Sequence, residues 1–200
     1  MSEHYYTNKP STVHKRHTIE QELVGRKFTF VTDSGVFSKT GVDYGSKVLI
    51  QHMSIPEHAE VLDVGCGYGP IGLAAATLAS AGRVTMVDIN ERAVELAKEN
   101  ATRNGISNVD IMQSDALESL QGRTFDIILT NPPIRAGKDV VHSIFEQSAN
   151  HLKPGGQLWV VIQKKQGAPS ALSKLEDLFS NVEEKAKDKG YRIFCAKKAD

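Results

Sequence analysis

The run with the most distinctive chemistry is Asn131-Pro132-Pro133, which closes an apolar stretch over residues 125–129. Two prolines hold the backbone extended and rigid. The Asn131 amide oxygen and the Pro132 carbonyl can then accept hydrogen bonds from one and the same amino group. A guanine amine is flat and almost non-basic, because its lone pair is delocalised into the ring. Two fixed acceptors orient such an amine and favour the geometry in which the lone pair faces an incoming electrophile. That is positioning plus stabilisation of developing positive charge, with no side-chain nucleophile and no metal.

A second group of residues suits a nucleoside carrying a charged tail. Glycines at 65, 67 and 69 follow the short apolar run 60–64, so the backbone can turn tightly and approach a ligand closely. Asp63, two positions before the first glycine, is a carboxylate able to anchor a cationic amino-acid moiety. Asp88 ends the next apolar run, 21 positions beyond Gly67, where an acidic side chain can accept from both ribose hydroxyls. Asp115, just after a third run, can accept from an adenine amino group. Nicotinamide and flavin folds share the glycine turn and the ribose acid. The Tyr68-Gly69-Pro70 helix start departs from their fingerprint, and an Asn-Pro-Pro turn has no part in hydride transfer.

The elements that must place these groups follow from periodicity. Short apolar strands are expected at 60–64, 83–87, 109–112, 125–129 and 157–162. Helices are expected at 70–80, 91–104, 140–152 and 170–179, the first with proline in its opening turn. This alternation predicts an α/β Rossmann-like, doubly wound sheet of seven strands, mostly parallel, with helices on both faces. The last two strands, 182–187 and 191–196, are joined by Asp188-Lys189-Gly190 and must pair antiparallel, since a parallel crossover needs about a dozen residues or more. Upstream, residues 27–32 alternate and meet Asp33-Ser34-Gly35, which predicts a hairpin with its return strand at 36–38 and a short helix at 47–52. Residues 1–25 read as a polar, loosely attached arm. Two units are expected: 1–53, an N-terminal arm, hairpin and short helix packed on the main domain, and 54–200, the cofactor-binding domain.

Composition narrows the partners. Basic and acidic residues balance at 24 each, so any polyanion-binding surface must be local. Arg135 and Lys138 follow the proline turn and are placed to meet phosphates beside a flipped nucleotide, with Lys9, Lys15, Arg16, Lys164 and Lys165 as further contacts. The two cysteines, Cys66 and Cys195, form no metal-ligand spacing and are expected to be reduced thiols, so no metal is expected. No segment reads as a signal peptide or a membrane span, and the expected compartment is the cytoplasm.

Together these motifs resemble class I S-adenosylmethionine-dependent methyltransferases, in the branch with Asn-Pro-Pro after the fourth strand. More narrowly, Gly35-Val36-Phe37-Ser38-Lys39 and Gly41-Val42-Asp43-Tyr44-Gly45-Ser46 resemble the segment preceding the fold in small-subunit (16S) ribosomal RNA guanine-N2 methyltransferases. The resemblance spans about residues 26–200 and implies S-adenosyl-L-methionine as cofactor, and ribosomal RNA or the small ribosomal subunit as substrate. It places Phe37, Asp43, Asp63, Gly65, Gly67, Gly69, Asp88, Ile89, Asp115, Ala116 and Asn131 at the cofactor. Asn131, Pro132 and Pro133 are then catalytic, with Ile134, Arg135 and Lys138 on the substrate. Many relatives have an aromatic residue where this sequence has Ile134, which offers no π surface to a base. Larger members carry a further N-terminal methyltransferase-like domain that this sequence does not show, so substrate recruitment is expected to differ. Methylation of protein glutamine or DNA adenine, and a non-catalytic RNA-binding role in ribosome assembly, are the alternative readings.

Overall fold

The computed structural model describes residues 15–33 and 41–200. The expected return strand at 36–38, Phe37, Lys9 and the first 14 residues lie outside the described residues. The chain runs β1 (Arg16–Leu23), β2 (Arg26–Asp33), α1 (Tyr44–His52), β3 (Glu60–Val64), α2 (Pro70–Leu78), β4 (Arg83–Asp88), α3 (Glu91–Arg103), β5 (Val109–Gln113), β6 (Phe125–Thr130), α4 (Lys138–His151), β7 (Leu152–Gln163), α5 (Ala168–Leu178), β8 (Asn181–Asp188) and β9 (Tyr191–Lys197). Seven strands form one sheet in the order β5-β4-β3-β6-β7-β9-β8. β9 alone is reversed, antiparallel to both β7 and β8. The order turns back between β3 and β6, and that reversal opens a crevice at the strands' carboxyl ends.

Alternation along each strand sorts side chains onto two cores. Val61, Met86, Ile127, Leu129, Trp159 and Ile193 face α1, α2 and α3. Leu62, Val64, Ile128, Leu158, Val160 and Phe194 face α4 and α5. Each strand in the middle of the sheet is therefore apolar on both faces, as a sheet covered by helices on two sides requires. α2 lies so close to β4 that a Cβ on Gly72 would stand 2.6 Å from Met86.

One expectation for the N-terminal region fails. Residues 16–23 are not a loose arm; they form β1 and pair with β2 over its whole length, from Arg16 opposite Asp33 to Leu23 opposite Arg26. The partner of β2 thus precedes it, across a two-residue turn in which Val24 and Gly25 both have positive φ (49° and 72°). Such turns match the twist of paired strands. The other edge of β2 is closed by side chains from α3. Asn100 accepts from the Val31 amide at 2.8 Å and donates to the Val31 carbonyl at 2.9 Å. Asn104 does the same for Thr29, at 3.0 and 2.9 Å. Four residues of helix rise about 6 Å and two residues of strand about 6.7 Å, so the two amides fall in register with alternate strand residues. Phe28 and Phe30 then point into the core, stacked at 5.5 Å, and Phe30 meets Tyr68 of the glycine loop edge-on at 5.6 Å. A further correction concerns residues 153–156, which fall between the expected helix at 140–152 and strand at 157–162. They belong to β7, whose pairing with β6 shifts register between Phe125 and Ile127.

Candidate active site

The glycine loop follows directly from β3. Gly65, Gly67 and Gly69 have φ of 75°, 57° and 113°, a conformation that L side chains rarely adopt. Gly69 caps α2 and Pro70 opens it, so the missing proline N–H falls where no helical bond is due. The Gly65 and Cys66 amides both donate to the Val87 carbonyl at 2.9 Å. The Gly67 amide donates to Asp88 Oδ2 at 2.9 Å, and the Asn90 amide to Asp88 Oδ1 at 2.8 Å. Asp88 is thereby fixed beneath the loop. Burial pushes its carboxyl up to about 6, partly opposed by those two amides.

Asp63 is more isolated. It is 1% exposed, and neither of its oxygens has a hydrogen-bond partner. Burial pushes its carboxyl up to about 7; the Gly72 amide, directed at the carboxylate, opposes this, and the charge of Asp88 adds to it. An unpaired buried carboxylate is costly unless a cation or donor meets it. Cys66 lies above both acids, and burial first, then their charges, drives its thiol well above its ordinary range. It is a packing residue at neutral pH, not a nucleophile.

Two cavities meet over Gly65. The first, of about 290 Å³, lies over the ends of β4 and β5 and is walled by Asp88, Ile89, Asp115, Ala116, Pro133 and Val140. The second, of about 420 Å³, lies over β6, β7 and β9, where Asn131 and Pro132 face Tyr68, Gln163, Gln166 and Tyr191. Asp43, Ile134 and Arg135 also line it. The proline turn therefore separates two compartments: Pro132 faces one and Pro133 the other.

Asn131 is held from behind. Thr130 Oγ1 donates to the Val64 carbonyl at 3.0 Å and ties the end of β6 to the end of β3. The Asn131 Nδ2 group donates to Asp43 Oδ2 at 2.9 Å and to Ser46 Oγ at 3.1 Å. A carboxylate only accepts, so the amide must present its NH₂ to Asp43. With both of its protons committed, Oδ1 is left to face the cavity. Neither Asn131 Oδ1 nor the Pro132 carbonyl has a hydrogen-bond partner among the described residues. Asp43 is also the N-cap of α1, accepting from the Ser46 amide at 3.1 Å. Gly45 makes room for it: a Cβ there would stand 3.1 Å from Asp43 Oδ2 and 2.8 Å from the Tyr191 ring.

The residues singled out in the sequence thus fall into four positions. Asp43, Gly65, Gly67, Asn131, Pro132, Ile134 and Arg135 line the larger cavity, and Asp88, Ile89, Asp115, Ala116 and Pro133 the smaller. Asp63 and Gly69 line neither and support the loop from below and behind. Lys138 lines a separate hollow of about 120 Å³ with Gln166. Ser46, Gln163, Gln166 and Tyr191 were not identified from sequence. They come from α1, the end of β7, the β7–α5 connection and β9, and only the sheet order brings them to one wall. Among the described residues no three His, Cys, Asp or Glu side chains gather as a metal site, and no helix is long and apolar enough to cross a membrane.

A doubly wound sheet with this strand order, a glycine loop and an Asn-Pro-Pro turn is the Rossmann-like methyltransferase fold. The chain belongs to the methyltransferase small domain family, whose model matches residues 27–195. It is 58% identical to the uncharacterized protein YbxB of Bacillus subtilis (strain 168), over 99% of this chain and 100% of that one. It is 30% identical to ribosomal RNA small subunit methyltransferase C of Salmonella typhi, over 86% of this chain and 51% of the relative, so the chain spans about half of that enzyme's length. Among solved structures it is similar to the T. thermophilus 16S rRNA N2 methyltransferase RsmC in complex with AdoMet and guanosine. That match has a TM-score of 0.81 and 27% identity, and covers 94% of this chain and 51% of the other.

Proposed function

We propose that the protein uses S-adenosyl-L-methionine to methylate an exocyclic amine, that of guanine N2 in 16S ribosomal RNA. The observation that carries this reading is Asn131, whose NH₂ is held by Asp43 and Ser46 while its Oδ1 and the Pro132 carbonyl stay free at the cavity. The family, and the guanosine and AdoMet in the similar RsmC structure, support the same assignment.

The residues present fit the cofactor. Asp88 uses two of about four acceptor positions on the Gly67 and Asn90 amides and keeps the others for ribose hydroxyls. Asp115 and Ala116, at the mouth of the smaller cavity, take the adenine. The unpaired Asp63 below Gly65 offers the cationic amino-acid end a counter-charge. When bound, the cofactor supplies an electrophilic methyl on a sulfonium sulfur. Asn131 Oδ1 and the Pro132 carbonyl accept from the two N–H groups of the amine and turn its lone pair toward that methyl. Transfer of that methyl from a cofactor held there would replace one amine N–H by N–CH₃, with the proton released to solvent. Positive charge develops on the amine during this step. The Asp43 carboxylate behind Asn131 polarises the amide so that Oδ1 is a stronger acceptor at that moment.

Two variants test the division of labour. Asp88→Ala is expected to weaken cofactor binding, read by calorimetry. Asn131→Ala is expected to leave that affinity near normal and to slow transfer by about 10²–10³-fold, the range seen when one stabilising hydrogen bond is removed from an active site. Undiminished turnover in Asn131→Ala would overturn the reading.

A further inference from the structure

The chain carries equal numbers of basic and acidic residues, yet their pairing is uneven. Cations on the outer faces meet carboxylates: Arg83 with Asp110, Arg16 and Arg103 with Glu99, Lys153 with Asp126, Lys174 with Glu146. Of the cations that form no ion pair among the described residues, Lys98 and Lys197 stand apart, whereas Lys47, Arg135, Lys138, Lys164, Lys165 and Lys189 cluster.

These six are contiguous. Lys138 and Gln166 share one hollow beside the larger cavity, which places Lys138 against the turn bearing Lys164 and Lys165. The Lys164 amide donates to the Gly190 carbonyl at 2.7 Å, joining that turn to the one bearing Lys189. Lys189 and Lys47 both lie over the Tyr44 ring, with Nζ 4.9 and 5.6 Å from its centroid. Tyr44 in turn packs at 5.8 Å on Tyr191, which lines the larger cavity as Arg135 does. Gln163, Tyr191 and Asp188 are register partners, so the two turns stand side by side at the carboxyl edge of the sheet. Of the acids nearby, Asp43 is turned to Asn131 and Asp188 to the Tyr44 hydroxyl. Asp139 sits beside Lys138 on the first turn of α4.

We propose that this arc, from Lys138 through Lys164, Lys165 and Lys189 to Lys47, seats the phosphates of the single-stranded RNA flanking the target nucleotide, with Arg135 at the cavity mouth. Unpaired cations spaced around a cavity neutralise a chain of phosphates without reading its sequence. A neutral protein thereby gathers a run of adjacent cations where the strand enters. The inference rests on the RNA reading of the site and adds Lys47 and Lys189, which sequence alone did not mark.

The test is binding of a fluorescent single-stranded RNA of about 20 nucleotides, without cofactor, titrated from about 50 to 200 mM salt. Six phosphate contacts predict a slope of about −4 in log K against log salt. The doubles Lys47→Ala/Lys189→Ala and Lys164→Ala/Lys165→Ala should each reduce that slope by about 1.4 and weaken binding about tenfold. The control double is Lys98→Ala/Lys197→Ala, also outside any ion pair but on the outer face of α3 and at the opposite edge of the sheet. It should bind as the parent does. No RNA binding by the parent, arc doubles that match it, or a control that falls as far as they do would overturn the arc. Loss of RNA binding in the arc doubles alone, in a protein that transfers no methyl to RNA, would leave the arc standing and refute the proposed activity instead.

Discussion

Asp63→Asn isolates the cost of the buried carboxylate. In the folded protein the group is held up to about 7, against 3.8 when unfolded. The folded state therefore keeps its proton where the unfolded state has lost it. Stability from this group is complete below about pH 4, falls by roughly 1.4 kcal/mol per pH unit as pH rises, and levels off above about 7. The whole loss is roughly 4 kcal/mol. Asp88, raised to about 6, adds a similar fall that ends earlier. Asparagine at 63 leaves an unpaired amide and shifts the whole curve by a constant, so the slope and not the level is diagnostic. Chemical denaturation at intervals from pH 4.5 to 8.5 should show the variant gaining on the parent steadily up to about pH 7 and holding that gain above it. Parallel curves would refute the assignment of an uncompensated carboxylate. A cationic ligand at the loop reverses the preference, so cofactor binding near pH 6 should release a proton, read as a buffer-dependent calorimetric heat.

Asp43→Ala should lower kcat about tenfold or more while leaving cofactor affinity near normal, because it frees the Asn131 amide to turn. Asp43→Asn, which keeps an acceptor at that position, should recover much of the loss; a weakened cofactor with normal kcat would make Asp43 a cofactor ligand instead. Ser46→Ala, which spares the helix cap, should produce the same kind of defect in smaller measure. Asn100→Ala strands the Val31 amide and carbonyl and the Tyr68 carbonyl in the core. It should cost about 3 kcal/mol, a fall in Tm of roughly 6–12 °C by thermal denaturation; a fall under about 2 °C would show that β2 is held otherwise.

The middle of the sheet was legible because β3, β4, β6 and β7 are largely buried and read as apolar runs between helices of ordinary length. The tight turn at 188–190 then required the last two strands to pair antiparallel, but that β9 is the one reversed, between β7 and β8, came only from the structure. β1 was not legible. It alternates, but its inward positions are His17, Ile19, Gln21 and Leu23, half of them polar, and its turn begins with valine at positive φ rather than the usual asparagine or aspartate. At the site, the glycines, Asp88 and Asn131 announced themselves because their chemistry depends on residue type at a local spacing. Ser46 and Tyr191 gave no such signal, since their roles arise from contacts with Asn131 and Gly45 far away in the chain. The basic arc was half visible: Arg135, Lys138, Lys164 and Lys165 sit near motifs, whereas Lys47 and Lys189 join them only through Tyr44.

The central claim is the chemical identity of the acceptor. The most direct measurement incubates the protein with methyl-labelled S-adenosyl-L-methionine and, separately, unmodified small ribosomal subunits, naked 16S ribosomal RNA and a protein extract, then digests each and resolves the labelled products by mass. The account predicts label in N2-methylguanosine from the subunits or the naked RNA, abolished by Asn131→Ala. Label only in protein, or in another nucleoside, would contradict it.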